Sequence, residues 1–301
     1  MIHLHEVSKS YKGVQAVDNI SLHVPKGELF GLIGPDGAGK TTLFRIMATL
    51  LLPDSGKVTL MGQYDVVQDF RLIRRSIGYM PGRFSLYQDL SVLENLEFYA
   101  SVFGTTIADN YEQIKPVYSQ IEPFKNRRAG QLSGGMKQKL ALSCALVHKP
   151  DILLLDEPTT GVDPVSRQEF WEMLRLLRSQ GLTIFVSTPY MDEARLCDRV
   201  ALIEKGKILD MDTPGNIVRR HTVSLWSIQG TNMFPLLQAV RRWPGTVSCF
   251  AFGESHHATL QPEARIAELE AFLHRQGFHD VRIETIQPSI EDVFIGLLNN
   301  I

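Results

Sequence analysis

The spacing of apolar positions changes period repeatedly along this chain, and each change predicts an element. Residues 2–7 alternate apolar and polar and read as an edge strand, with a turn over 8–13. Residues 19–24 alternate again and end at Pro25-Lys26-Gly27. Residues 27–33 hold a short apolar run, the pattern of a buried strand, and a helix opens at Thr42. The turn Pro53-Asp54-Ser55-Gly56 leads into a strand at 57–60, and a strand at 77–80 stops at Pro81-Gly82. From Ser91 the period becomes helical. Ser91-Val92-Leu93-Glu94 is a capping box, the apolar spacing reaches Phe103, and a second helical stretch covers 110–122. This middle third has no strand pattern and reads as a helical insert in an α/β domain. A helix over 140–146 then precedes two apolar runs, 152–155 and 183–188, that predict buried parallel strands. Residues 199–203 and 207–210 flank Gly206 as a hairpin.

Around His221 the pattern restarts. Strands are expected at 222–228, 247–252, 257–261 and 281–286, with helices at 233–243 and 266–276. A last helix at 289–298 opens with the box Ser289-Ile290-Glu291-Asp292. The order β-α-β-β-α-β plus a helix predicts a small ferredoxin-like α+β domain. It carries no glycine-rich loop. His256-His257 looks like a metal pair, but neighbours on a strand face opposite ways.

Candidate chemistry concentrates in the first two thirds. Gly34-Pro35-Asp36-Gly37-Ala38-Gly39-Lys40-Thr41-Thr42 fits G-x-x-x-x-G-K-[ST], between a strand and a helix as a phosphate-binding loop requires. Its glycines let successive N–H groups point into one anion-binding concavity, Lys40 adds a point charge, and the Thr41 hydroxyl can ligate Mg²⁺. Ser133-Gly134-Gly135 feeds a helix N-terminus and is either a second phosphate-type turn or an ordinary helix start. Asp156-Glu157 stands at the end of an apolar strand, where ligands of open α/β sheets collect. The pair is either structural, as strand-end carboxylates often are, or functional, with Asp156 as the metal-side carboxylate and Glu157, pointing otherwise, able to polarise an attacking water. Tyr11 is either a packing aromatic or a stacking platform.

Composition narrows the alternatives. The 301 residues leave room for one large or two modest domains, and 44% hydrophobic content with a net charge of −2 describes a globular protein without the basic footprint of a nucleic-acid binder. No apolar run approaches the ~18–20 residues of a membrane span, and the N-terminus lacks the pattern of a signal peptide. Cys144, Cys197 and Cys249 are odd in number and widely spaced, and read as free thiols in a reducing cytosol.

Five of these motifs, in this order, resemble the ATP-binding subunits of ABC transporters over roughly residues 2–218. Gly34–Thr42 matches Walker A and Leu132–Gln138 the LSGGQ-like signature. Ile152–Glu157 matches Walker B with the catalytic glutamate, and Thr160-Gly161-Val162-Asp163 the D-loop. The tail Pro288-Ser289-Ile290-Glu291-Asp292-Val293-Phe294 is similar to the C-terminal extension of bacterial drug-exporter subunits.

The resemblance implies an α/β P-loop NTPase of ABC type: residues 1–220 as ATP-binding domain with a helical subdomain at 86–149, and 221–301 as accessory domain. It implies ATP and Mg²⁺, with Tyr11 stacking on adenine, Glu157 and Lys40 catalytic, and Thr41 and Asp156 on the metal. It also implies a head-to-tail dimer with a second copy or a homologous subunit, ATP lying between Walker A of one chain and Ser133-Gly134-Gly135 of the other. A separate integral-membrane permease would take the motion, holding the chain at the inner face of the cell membrane. Two departures matter. The family usually has glutamine where Gly82 stands and a switch histidine where Pro189 stands; Met136 replaces the usual signature glutamine. These losses imply a slower ATPase, or a regulatory subunit whose partner does the hydrolysis.

Overall fold

The computed structural model describes residues 1–221 and 224–299 and forms two units, Met1–Pro214 and Gly215–Ile301. The division falls at Pro214, where a helix Pro214–Arg220 begins, a few residues before the break in the sequence pattern.

The first unit holds two sheets. One is antiparallel, in the order Val14–Val24, Ile2–Tyr11, Ser55–Leu60, Tyr64–Asp65. The first strand is therefore internal, paired on both sides, and it runs through residues 8–11, where the pattern predicts an edge strand and a turn. The alternation fails there because the strand is irregular: Glu6 takes φ 51° and the register shifts between Leu4 and Val7. The second sheet has six strands, in the order Lys207–Asp212, Arg199–Glu204, Leu29–Ile33, Thr183–Thr188, Ile152–Asp156, Ile77–Met80. All its pairs are parallel except the outer hairpin, whose two-residue turn Lys205-Gly206 has positive φ at both positions, as a tight hairpin demands.

The fully buried strands Leu29–Ile33, Ile152–Asp156 and Thr183–Thr188 lie side by side, which explains their unbroken apolar runs. Helix Lys40–Met47 packs Leu43, Phe44, Ile46 and Met47 into a core shared with both sheets. Phe185 stacks on Phe30 and meets Phe44 edge-on, with centroids 5.3 and 5.2 Å away. The phosphate-loop helix is thus clamped by aromatic packing, and the loop before it has a rigid base.

The middle third is helical: Val92–Val102, Tyr111–Tyr118 and Gly134–Leu146. The capping box forms, with Glu94 N donating to Ser91 Oγ (3.1 Å) and Ser91 N to Glu94 Oε2 (2.7 Å). The longest helix, Pro164–Ser179, lies outside the elements marked by the pattern above. Asp163 caps it, Pro164 opens it, and Phe170, Trp171, Leu174 and Leu177 form its buried stripe. The three cysteines are buried and unpaired; burial pushes the Cys249 thiol up to about 11 and those of Cys144 and Cys197 further.

The second unit follows the β-α-β-β-α-β order. Its antiparallel sheet runs Thr246–Phe252, Ser255–Leu260, Leu225–Gln229, Arg282–Ile286, with helices Met233–Arg242, Ile266–Arg275 and Ile290–Asn299. The expected strand start at 222–223 lies outside the described residues. His256 is buried, its Nε2 2.6 Å from Met233 O, while Nδ1 of His257 faces Asp292 Oδ1 at 2.6 Å. The two rings diverge. Among the described residues there is no cluster of three metal-binding side chains.

Candidate nucleotide site

The site starts from glycines with no room for a side chain. A Cβ on Gly34 would sit 2.2 Å from Ile203 O, and one on Gly39 (φ 107°) 2.1 Å from Ala16 O. Strand Val14–Val24 therefore lies against the back of the phosphate loop. Gly37 takes φ 80° at the loop's tip, and Ala38 is buried at its base. The loop curls around the N-terminus of Lys40–Met47, where free N–H groups favour an anion. Tyr11 pairs with Val14 across the hairpin next to this strand and is exposed, a position open to a stacking partner.

Lys40 is almost wholly buried. Its Nζ donates to the carbonyls of Gly34 (2.7 Å) and Pro35 (2.8 Å) and lies 3.0 Å from Oε1 of Glu157. Loop carbonyls and Glu157 together hold the ammonium. Thr41 and Ser187 hydrogen-bond to Asp156, Ser187 Oγ donating to Oδ1 at 2.8 Å. Burial raises the Asp156 carboxyl above the usual carboxylate range; hydrogen bonds from Ser187 and Thr41 oppose this, and the Glu157 charge adds to it.

Asp156 and Glu157 are adjacent yet serve different neighbours, and the backbone explains how. The strand ends at Asp156, and Glu157 takes a left-handed conformation, φ 52°, that costs a non-glycine residue about 1–3 kcal/mol. Its N–H is held by Ser187, 3.0 Å from Oγ and 3.2 Å from O. The turn sends Asp156 toward Thr41 and Glu157 toward Lys40. Thr41, Asp156 and Glu157 line one cavity of about 470 Å³, together with Arg45, Tyr79 and Gly82. Burial and the Asp156 charge push the Tyr79 phenol up to about 12.

Ser133, Gly134 and Gly135 lie apart from this cavity. Ser133 Oγ accepts from Met136 N (3.3 Å) and caps helix Gly134–Leu146. Gly135 has no room for a side chain, since a Cβ would meet Ser166 Oγ at 2.5 Å, and one on Gly134 would meet Gly161 O at 3.7 Å. The turn thus rests on the loop Thr160–Asp163 of its own chain. That loop returns to the site through Thr160 Oγ1, which donates to Glu157 Oε2 at 3.4 Å.

Pro189 follows Thr188, whose hydroxyl donates to the buried Glu193. Glu193 also accepts from Thr159 Oγ1 (3.0 and 3.2 Å) and lies 3.8 Å from Arg167 Nε. Burial raises its carboxyl, opposed by these hydrogen bonds and the Arg167 charge. Ser187 and Glu193 escape the sequence reading above. The signal for Ser187 is a polar pair, Ser187-Thr188, closing an otherwise apolar strand beside a carboxylate-ended one; Glu193 leaves no local signal.

The comparisons with known proteins agree with this geometry. Residues 17–160 match the ABC transporter family model. The chain is 38% identical, over 99% of its length, to the Escherichia coli (strain K12) protein named probable multidrug ABC transporter ATP-binding protein YbhF, of which it spans only 52%. It is 37% identical to the Nod factor export ATP-binding protein I of Rhizobium sp. (strain N33), covering 98% of this chain and 96% of that one. The dimeric ATP-binding cassette MJ0796 in a post-hydrolysis state bound to ADP and Pi superposes with a TM-score of 0.64 at 29% identity, over 71% of this chain and 98% of that one. The chain belongs to the ATP-binding subunits of ABC transporters, on the branch that holds multidrug and Nod factor export proteins.

Proposed function

We propose that this protein binds and hydrolyses ATP at an interface between two cassettes, and so drives an exporter through a separate membrane permease. The observation that carries the reading is the convergence of Thr41, Asp156 and Glu157 on one cavity beside the phosphate loop, with Lys40 Nζ 3.0 Å from Glu157 Oε1. ATP's terminal phosphates compete with Glu157 for the Lys40 ammonium. When Lys40 turns to the phosphates, Glu157 is released to accept a proton from a water aligned with the γ-phosphorus. Thr41 Oγ1 and the Asp156 carboxylate are the hard oxygen donors that Mg²⁺ takes, and a buried carboxylate held by two hydroxyls rather than by a direct ion pair fits such a site. Mg²⁺ held by these two residues would supply neutralisation of the phosphate charge.

The second half of the site is Ser133-Gly134-Gly135 of a neighbouring cassette, either another copy or a homologous subunit. None of these three residues lines the cavity at the chain's own site, which supports this arrangement, as does the dimeric MJ0796. A groove of about 310 Å³ lined by Leu50, Phe84, Leu86, Tyr99 and Phe103 beside the helical insert supports contact with a permease. None of the described helices is long and apolar enough to cross a membrane, so transport requires that partner, which would hold this chain on the cytoplasmic face. The permease selects the substrate.

Phosphate release from Mg-ATP, measured across protein concentrations beside Glu157→Gln, tests this. A rate that rises faster than linearly and vanishes in the variant is expected. ATP binding without turnover favours the second reading, a regulatory cassette paired with a competent one. Gly82 and Pro189 support that reading.

A further inference from the structure

Gly82 opens a gap beside the reacting groups. A Cβ there would lie 3.0 Å from Asp156 O and 3.9 Å from Asp156 Oδ2, so Gly82 packs closely on the end of the Asp156 strand and offers no side chain to the carboxylate beside it. Its φ is not in the left-handed region; the close approach to Asp156 O, not the backbone conformation, favours glycine. Two guanidiniums line the cavity that results, Arg45 and Arg83. Arg45 stands one helical turn after Thr41, on the same face of Lys40–Met47. Arg83 follows Gly82 directly, on a segment with neither helix nor strand, and is exposed.

Neither arginine side chain makes a hydrogen bond or an ion pair with the described residues, although two carboxylates share the cavity. Those carboxylates are committed elsewhere: Glu157 to Lys40, and Asp156 to Ser187 and Thr41. Two uncommitted cations facing the phosphate side of a cleft form a site for an anion that arrives. Thr41 lines the same cavity and opens the helix on which the terminal phosphate would rest, so that phosphate would sit within this cavity.

We propose that Arg83 contacts the terminal phosphate of ATP, supplying from the backbone position next to Gly82 the polar contact that Gly82 lacks. Arg45 raises the local positive potential behind it. Arg83 stabilises bound triphosphate, and the charge that grows on the γ-phosphoryl oxygens in the transition state, without taking up or releasing a proton. This rests on the nucleotide-site reading above.

The test measures Mg-ATP and Mg-ADP affinities by displacement of a fluorescent nucleotide, in the hydrolysis-blocked Glu157→Gln protein with and without Arg83→Ala. Arg83→Ala is expected to weaken ATP about tenfold while leaving ADP unchanged, and Arg83→Lys to recover most of the ATP preference. In the otherwise native chain Arg83→Ala should also slow turnover. An ATP-to-ADP preference that is the same in both backgrounds overturns the role of Arg83 and leaves the nucleotide site standing. Failure of the Glu157→Gln parent to bind either nucleotide overturns both. Arg83 is exposed and unpaired, so the substitution leaves the fold intact and the comparison clean.

Discussion

Lys40 Nζ and Glu157 Oε1 lie 3.0 Å apart, the lysine buried and the glutamate one-fifth exposed. The residue proposed to grip phosphate and the residue proposed to activate water thus neutralise each other. Glu157→Gln should therefore act twice: it removes the base, costing about 10²–10⁴-fold in turnover, and it frees Lys40 from a competitor. ATP affinity in this variant is expected to hold or rise while phosphate release collapses. A parallel fall in both would show that Glu157 supports the loop itself.

Asp156 presents the opposite balance. Burial raises its carboxyl, so the folded protein binds a proton there more readily than the unfolded chain. The contribution to stability is complete below the ordinary carboxylate value and is lost as pH rises through the raised one. At neutral pH without Mg²⁺, Asp156→Asn should therefore raise the melting temperature by about 2–4 °C, and the gain should shrink toward acid pH. With Mg-ATP the order is expected to reverse, since the variant has lost the carboxylate proposed to hold Mg²⁺. Thermal melts at several pH values, with and without Mg-ATP, check the crossing.

Glu193, four residues after Pro189, holds Thr188, Thr159 and Arg167 around one buried carboxylate. Glu193→Ala leaves two hydroxyls without their partner and is expected to cost about 1–3 kcal/mol of unfolding free energy. The larger effect should be local, with hydrogen exchange rising across residues 187–194. Protection unchanged in that segment would mean the strand alone holds the switch position.

In the second unit, Asp292 Oδ1 meets His257 Nδ1 at 2.6 Å, and Oδ2 accepts from Ser289 N (2.8 Å) and Oγ (2.6 Å). One carboxylate thus caps the last helix and fastens it to the sheet. Asp292→Ala should cost about 1–2 kcal/mol and release Ile290–Asn299, whereas His257→Ala should loosen the helix without uncapping it. Exchange rates along the helix separate the two effects.

The chemistry that runs consecutively along the chain was legible in the sequence. The phosphate loop is nine contiguous residues with fixed backbone needs, and Asp156-Glu157 follows an apolar run that can only be a buried strand. The fold class followed from the same periods, and so did the strand and helix order of the second unit. The first strand was misjudged as an edge because a local bulge breaks its alternation, and pairing on both sides is a property of neighbours. What only the tertiary structure decided lies between elements. Ser187 reaches Asp156 because strands Ile152–Asp156 and Thr183–Thr188 pair in a register that sets the two opposite each other. Glu193, Arg45 and Arg83 acquire meaning only where separate segments meet. Sequence specifies which groups a segment can offer through local propensity and period; which groups share a cavity depends on long-range packing, and no local pattern encodes it.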